Sequence, residues 1–73
     1  MEVNKEALER STLEAVLDVL EADGYDMQKL VNKVHIHAMT TPMGSRIAGI
    51  GSFYKPAIVS RIEEAVGLKA KHE

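Results

Sequence analysis

An apolar stretch from Ser11 to Asp23 limits most strongly what this chain can fold into. Four side chains in it recur at i, i+3, i+4 and i+7, the spacing of one face of a helix. These four are Leu13, Val16, Leu17 and Leu20. With their Thr, Ala and Val neighbours they cover an arc of roughly 200°, twice the ~100° of an ordinary surface helix. A helix this apolar needs cover on two sides, either from the rest of the chain or from a second copy.

The size of the chain makes its own core thin. Its 73 residues include one Phe, two Tyr and no Trp, which indicates a single domain, 1–73, with a small aliphatic core. Small domains usually need an additional source of stability, and without cysteine neither a disulfide nor a thiolate metal site is available. Oligomerisation or binding to a larger partner is the remaining source of stability. Without cysteines, a basic leader or a membrane-length apolar run, we expect a cytoplasmic protein.

Charge is divided unevenly along the chain. Residues 1–26 carry two bases and eight acids, a formal charge of −6, whereas residues 27–73 carry seven bases and three acids, a formal charge of +4. No acid occurs in residues 27–62, which hold five bases and two histidines. Either the two halves pack together and compensate each other, or the basic half faces an acidic partner.

The periodicity predicts an all-α domain of three to four helices. The first begins either at a solvated turn capped by Asn4 or at the capping box that starts with Ser11, and it ends at Gly24. Asp26 caps a second helix that runs through Ala38. Because the connection is short, these two helices should be antiparallel neighbours. The alternative is an α+β fold, since residues 34–39 also alternate as a strand would.

Two further helices follow from proline positions. Thr41 as N-cap with Pro42 at N1 predicts a short third helix that includes Met43. The last helix begins at Lys55-Pro56 and ends at Gly67. We expect a solvated tail over 69–73. Phe53 and Tyr54, between these two helices, are expected to be core or hinge aromatics.

No pattern in the chain predicts catalysis. His35 and His37 could share a metal ion on a strand, but on a helix their rings point about 200° apart. The segment 44–49 has the glycine spacing of a phosphate loop, yet Ile50 occupies the position of the essential lysine. We therefore expect no enzyme activity, no cofactor, no metal and no small-molecule substrate.

The segment Gly49-Ile-Gly-Ser-Phe53 resembles two nucleic-acid motifs. It is similar to the Gly-Phe-Gly-Thr-Phe turn of the HU/IHF architectural proteins and to the Gly-hydrophobic-Gly hairpin of helix-hairpin-helix domains. Either resemblance implies contact with nucleic acid. Pro56 leaves no room for the long β-arm of the first family, and Lys55 occupies a position where the second has a small residue. Each match covers five or six residues, so we assign the chain to neither family.

A phosphate-binding surface is the second functional hypothesis. Turn amides and the start of a proline-initiated helix attract phosphate, and basic side chains surround this turn. The residues proposed for this surface are Lys29, Lys33, Arg46, Gly49, Gly51, Ser52, Lys55 and Arg61. A pI of 5.9 is low for a nucleic-acid-binding domain.

Protein binding is the first hypothesis. The wide apolar arc, the thin core and the adaptable methionines favour a non-catalytic interaction module. It would be a homo-oligomer or a small regulator or inhibitor of a larger protein, with no membrane role. The residues predicted to contact the partner are Val16, Val19, Leu20 and Met43.

Overall fold

The protein is all-α. A computed structural model describes residues 3–71 and contains helices α1 (Lys5–Ala22), α2 (Met27–Thr40) and α3 (Lys55–Val66), with a 3-10 turn at Ser52–Tyr54 before α3. The prediction of a small helical domain is confirmed. Residues 34–39 lie inside α2, and no strand occurs among the described residues, so the alternative α+β prediction is wrong.

The first helix uses the earlier of its two predicted starts. The Asn4 Oδ1 accepts hydrogen bonds from the N–H groups of Glu6 (2.9 Å) and Ala7 (3.2 Å), so that α1 begins six residues before the Ser11 capping box. Ser11 therefore lies within the helix. The helix ends as predicted at Gly24, whose φ of +83° suits glycine. The N–H groups of Gly24 and Tyr25 donate to carbonyls in the last turn at 3.0 Å each, which is a Schellman ending.

The second helix has the predicted cap at its start and an unexpected end. The Asp26 Oδ1 accepts from the N–H groups of Gln28 (3.0 Å) and Lys29 (3.2 Å). At the other end Thr41 has a left-handed φ of +41°, its N–H donates to the His37 carbonyl at 2.7 Å, and its hydroxyl donates to the Ala38 carbonyl at 2.8 Å. Thr41 thus ends α2 instead of starting a third helix.

The prediction of a helix after Pro42 is wrong. Residues 43–49 form successive turns, closed by three i→i+3 bonds between Pro42 and Ile50. Gly44 and Gly49 have φ values of +84° and +86°, which an α-helix cannot contain. Two glycines within six residues favour turns over a helix whose apolar stripe would be only three residues long. We call residues 41–51 the turn segment.

The last helix agrees with its predicted boundaries. It begins at Lys55 with Pro56 in its first turn, where the missing N–H removes no helical hydrogen bond. Gly67 ends it with a φ of +84°, and the Gly67 N–H donates to the Glu63 carbonyl at 2.8 Å. This is the αL type of helix ending.

The core lies mainly between α2 and α3, which form the closest pair of helices. The buried apolar residues of the described chain are Leu17, Val31, Ala38, Val59 and Ile62. Four of these five belong to α2 and α3, whereas α1 contributes Leu17 alone. The first helix therefore contributes only a small part of its surface to the core.

Residues 69–71 are hydrogen-bonded to the helices. The Gln28 Nε2 donates to the Lys69 carbonyl at 2.8 Å, and the Lys71 N–H donates to the Asn32 Oδ1 at 2.8 Å. A further bond of 2.7 Å joins the Ala70 N–H to the Glu63 carboxylate. Lys69 and Lys71 remain exposed, so the segment lies on the surface while its backbone is tied to α2 and α3.

Candidate protein-interaction surface

The chain exposes more surface than a self-contained domain of its size. It has 5908 Å² of accessible surface, whereas the scaling of surface with mass gives about 4,450 Å² for a folded monomer of 8.0 kDa. Its radius of gyration is 13.2 Å, against about 11.2 Å expected from its length. An excess of roughly 1,450 Å² is left uncovered.

Part of the exposed apolar surface lies on α1, at Leu8, Val16 and Val19. At about 100° per residue, its apolar arc divides into an inner and an outer face. The inner face consists of Leu13, Leu17 and Leu20, which are buried or half-buried against the rest of the chain. The outer face consists of Leu8, Thr12, Ala15, Val19 and Ala22, all of which are exposed. The rest of the chain thus covers only one side of the arc.

The predicted partner-binding residues do not all lie on this outer face. Val19 belongs to it and is 61% exposed, and Val16 lies beside it at 52%. Leu20 is half-buried on the inner face, and Met43 is fully exposed on the turn segment, a different element. Leu8, which is 54% exposed, was not predicted. The outer-face residues are separated alternately by four and three positions, and this spacing could have predicted Leu8 as a member of the same face.

A second apolar surface is a groove where α1, α2, α3 and the turn segment meet. Its volume is 430 Å³, and it is lined by Leu13, Val34, Ile50, Tyr54, Ala57, Ile58, Arg61 and Ile62. Tyr54 is 59% exposed, and the neighbouring Phe53 is 90% exposed. The two rings meet edge-to-face with centroids 6.2 Å apart. Of the two predicted roles for these aromatics, core or hinge, the core role is wrong, and the hinge role stays a prediction.

Charged side chains line the cleft between α1 and α3. One part has a volume of 280 Å³ and is lined by Arg10, Leu13, Glu14, Arg61, Glu64 and Ala65. The adjoining part adds Glu6 and Glu9. Arg61 therefore shares its surroundings with glutamates of α1, and these oppose the approach of a phosphate.

The other residues of the phosphate hypothesis are spread over several elements. Lys29 and Lys33 lie on the exposed side of α2, in a shallow groove of 420 Å³ that also contains Asp26 and Ile36. Of the remaining five, Arg46 and the glycines lie on the turn segment, Ser52 begins the 3-10 turn, and Lys55 is half-buried at the start of α3. These five are Arg46, Gly49, Gly51, Ser52 and Lys55.

Two backbone N–H groups in or next to the segment Gly49–Phe53 already have acceptors within the chain. The Ile50 N–H donates to the Ile47 carbonyl at 3.1 Å, and the Tyr54 N–H donates to the Gly51 carbonyl at 2.9 Å. Neither N–H is free for a phosphate oxygen in this conformation, which weakens the resemblance-based prediction for Gly49–Phe53.

His35 and His37 lie on α2, where they cannot share a metal ion, and His72 lies outside the described residues. His37 and Ser45 are joined by a hydrogen bond of 2.8 Å between Nε2 and Oγ, which ties α2 to the turn segment. His35 lies about 200° around the helix from His37. Within residues 3–71 no three or more His, Cys, Asp or Glu side chains are grouped closely enough to hold a metal ion.

No helix within residues 3–71 combines the length and the apolar character needed to cross a membrane. Comparison with protein-family models, curated proteins and solved structures gave no match.

Proposed function

We propose that this chain is a small, non-catalytic protein-interaction module that binds through the outer face of α1. It acts either as a homo-oligomer or as a regulator or inhibitor attached to a larger protein. The single observation that supports this proposal is the division of α1. One half of a continuous apolar arc packs on the chain, and the other half, with Leu8 and Val19 more than half exposed, has no cover.

The size of the core gives the same proposal a physical reason. A domain of this length with five buried apolar residues has a stability of only a few kcal/mol at best. Burying a Val or Leu side chain fully stabilises by roughly 1.5–3 kcal/mol, and Leu8 and Val19 are 54% and 61% exposed. Covering several outer-face side chains adds an amount comparable to the stability of the domain itself, so that binding and folding are coupled.

The test is a charge placed on the apolar outer face. Val19→Asp should abolish association, because the carboxylate would be desolvated in the interface. Ser60→Asp is the matched control, since it adds the same charge at an exposed position within α3. Light scattering after size-exclusion chromatography measures association, and circular dichroism verifies folding. A folded Val19→Asp variant that associates like the wild type would exclude the outer face as the binding surface.

Nucleic-acid binding is the second candidate. It is favoured by the absence of acids from residues 27–62 together with the exposure of Lys29 and Lys33 on one side of α2. Four or five phosphate contacts predict an affinity that falls steeply between about 50 and 200 mM salt. Titration of duplex DNA, single-stranded DNA and structured RNA over this range measures it, and binding should be lost in the double variant Arg46→Glu, Lys55→Glu. Binding that persists in the folded double variant would reject this candidate.

A further inference from the structure

We infer that the partner on the outer face of α1 is a second copy of the chain, with the two α1 helices packed antiparallel across a two-fold axis. This inference rests on the proposed interaction function and adds the identity of the partner and the alignment of the two helices.

The spacing of the outer face is that of a helix–helix seam. Its residues are separated alternately by four and three positions, from Leu8 through Ala22, which is the a/d pattern of paired helices. The inner face of the same helix packs on α2 and α3. The outer face is therefore a second packing surface of α1, which no part of its own chain covers. A seam of this kind is complementary to a helix of the same pattern, and α1 of another copy supplies one.

The middle of the seam permits close approach. Thr12 and Ala15 are small, which lets two helix axes come near each other at the centre. The Thr12 hydroxyl donates to the Leu8 carbonyl at 2.7 Å, so that its hydrogen bond is made within the helix and its methyl group is left for packing. Burying Thr12 in a dimer therefore leaves no hydroxyl donor without an acceptor.

The chain as a whole leaves more area uncovered than each partner of a stable dimer buries. A standard specific interface removes about 800 Å² from each partner, whereas the excess surface of this chain is roughly 1,450 Å². A second copy on the outer face covers the part of this excess that lies on α1, and it does so on both chains at once, because a two-fold interface uses the same patch twice.

The flanking charges select the antiparallel arrangement. A parallel pair would place Asp18 beside the partner's Asp23 and align the two helix dipoles. In the antiparallel pair Leu8 packs against the partner's Val19, and Thr12 packs against the partner's Ala15. Ser11 then lies beside the partner's Asp18, where its hydroxyl can donate to the carboxylate. This arrangement avoids the contact between like charges and opposes the dipoles.

Cysteine cross-linking tests the alignment directly, because the natural chain contains no cysteine. Positions 8 and 19 lie eleven residues apart on α1, about 16.5 Å along the helix axis. In the antiparallel pair position 8 lies opposite position 19 of the other copy, so the two copies of position 8 are separated by this distance. They are too far apart for a disulfide, which needs Cα atoms within about 7 Å. The single variants Leu8→Cys and Val19→Cys are oxidised separately and as an equimolar mixture, with Ser60→Cys as the control for random collision.

The antiparallel dimer predicts that the mixture forms covalent dimer at least about tenfold faster than either variant alone, because the paired thiols have an effective concentration in the mM range. Equal cross-linking of Leu8→Cys alone and of the mixture would instead show a parallel pair and overturn the inference. Cross-linking of the mixture no faster than Ser60→Cys would show that the outer faces do not pair.

The Val19→Asp experiment separates the two levels of the proposal. If the mixture fails to cross-link while Val19→Asp still abolishes association, then the interaction function stands and the antiparallel second copy is wrong. If cross-linking fails and Val19→Asp also associates like the wild type, both are wrong.

Discussion

The helical pair α2–α3 and the helix α1 have similar apolar patterns but very different burial. Apolar residues recur at i, i+3, i+4 and i+7 in α1 and α2, and α3 has an apolar stripe formed by Ile58, Val59, Ile62, Ala65 and Val66. In α2 and α3 this pattern yields four buried residues, one of them, Val31, with no exposed surface. In α1, the longest helix, it yields Leu17 alone. An apolar arc thus specifies what a helix needs to cover, and the tertiary arrangement decides whether the same chain covers it.

The largest effect is expected from truncating a core side chain of the α2–α3 pair. Ile62 is 6% exposed in α3, and Ile62→Ala should lower the free energy of unfolding by about 2–5 kcal/mol, since it removes apolar contacts and leaves a cavity. For so small a domain this loss unfolds much of the population. Urea denaturation followed by circular dichroism measures the change. A loss below about 1 kcal/mol would mean that α2 and α3 do not form the core.

The helix caps provide a second comparison with a smaller effect. Asp26→Ala should cost about 1 kcal/mol of global stability, because α2 is part of the core and must form whenever the chain folds. Asn4→Ala removes an equivalent pair of cap bonds from α1, but residues 5–10 are exposed, so this variant should fray the first turns at little global cost.

Denaturation and amide hydrogen exchange on both cap variants measure the two effects. Asn4→Ala should increase exchange in the first turns of α1 only, whereas Asp26→Ala should increase exchange throughout α2 and α3. Equal global losses in the two variants would show that α1 is as firmly integrated as α2.

The outer face gives an effect that depends on protein concentration. Leu8→Ala should change the stability of the dilute monomer by less than about 0.5 kcal/mol, as for an ordinary surface substitution. At high concentration it should lower stability more, because the wild type then gains from association and the variant gains less. Thermal unfolding of both proteins over a wide concentration range measures this difference, and a concentration-independent difference would contradict self-association through this face.

The smallest predicted effect is that of salt. Lys5–Ala22 carries two bases and five acids, so two α1 helices in a dimer repel each other weakly. Raising the salt concentration shortens the Debye length from about 10 Å at 0.1 M to about 3 Å at 1 M, and the dimer should tighten by a few fold. Nucleic-acid binding changes in the opposite direction, so sedimentation and nucleic-acid titration in the same buffers separate the two candidate functions.

The sequence predicted the ends of the helices better than their surroundings. Asp26, Gly24 and Gly67 end or begin helices as expected, because each acts through its own backbone and the nearest turn. The prediction at Thr41-Pro42 is wrong because the same dipeptide can follow one helix or precede another. The glycines that follow have positive φ at Gly44 and Gly49, which prevents a helix from starting here, so Thr41-Pro42 follows α2.

The candidate site could be predicted only in part. Periodicity identified the wide apolar arc and, within it, Val16 and Val19. It could not tell the inner from the outer face, since Leu20 and Val19 differ by one position and are both aliphatic. Which of them is covered depends on where the rest of the chain packs, and that is set by contacts between residues far apart in the chain. The exposure of Phe53 could not be predicted for the same reason, since it too depends on contacts between residues far apart in the chain.

The hydrogen bonds that tie residues 69–71 to α2 bear on the order in which the chain assembles. Gln28 and Asn32 reach partners 41 and 39 positions away, so each bond closes a loop that contains much of α2 and all of α3. The entropy of closing such a loop must be offset before the bond gains anything. We therefore expect these bonds to form once α2 and α3 have packed together, and to break on unfolding when the two helices separate. A spectroscopic probe near Lys69 would thus report the docking of these two helices, independently of whether α1 has found its partner.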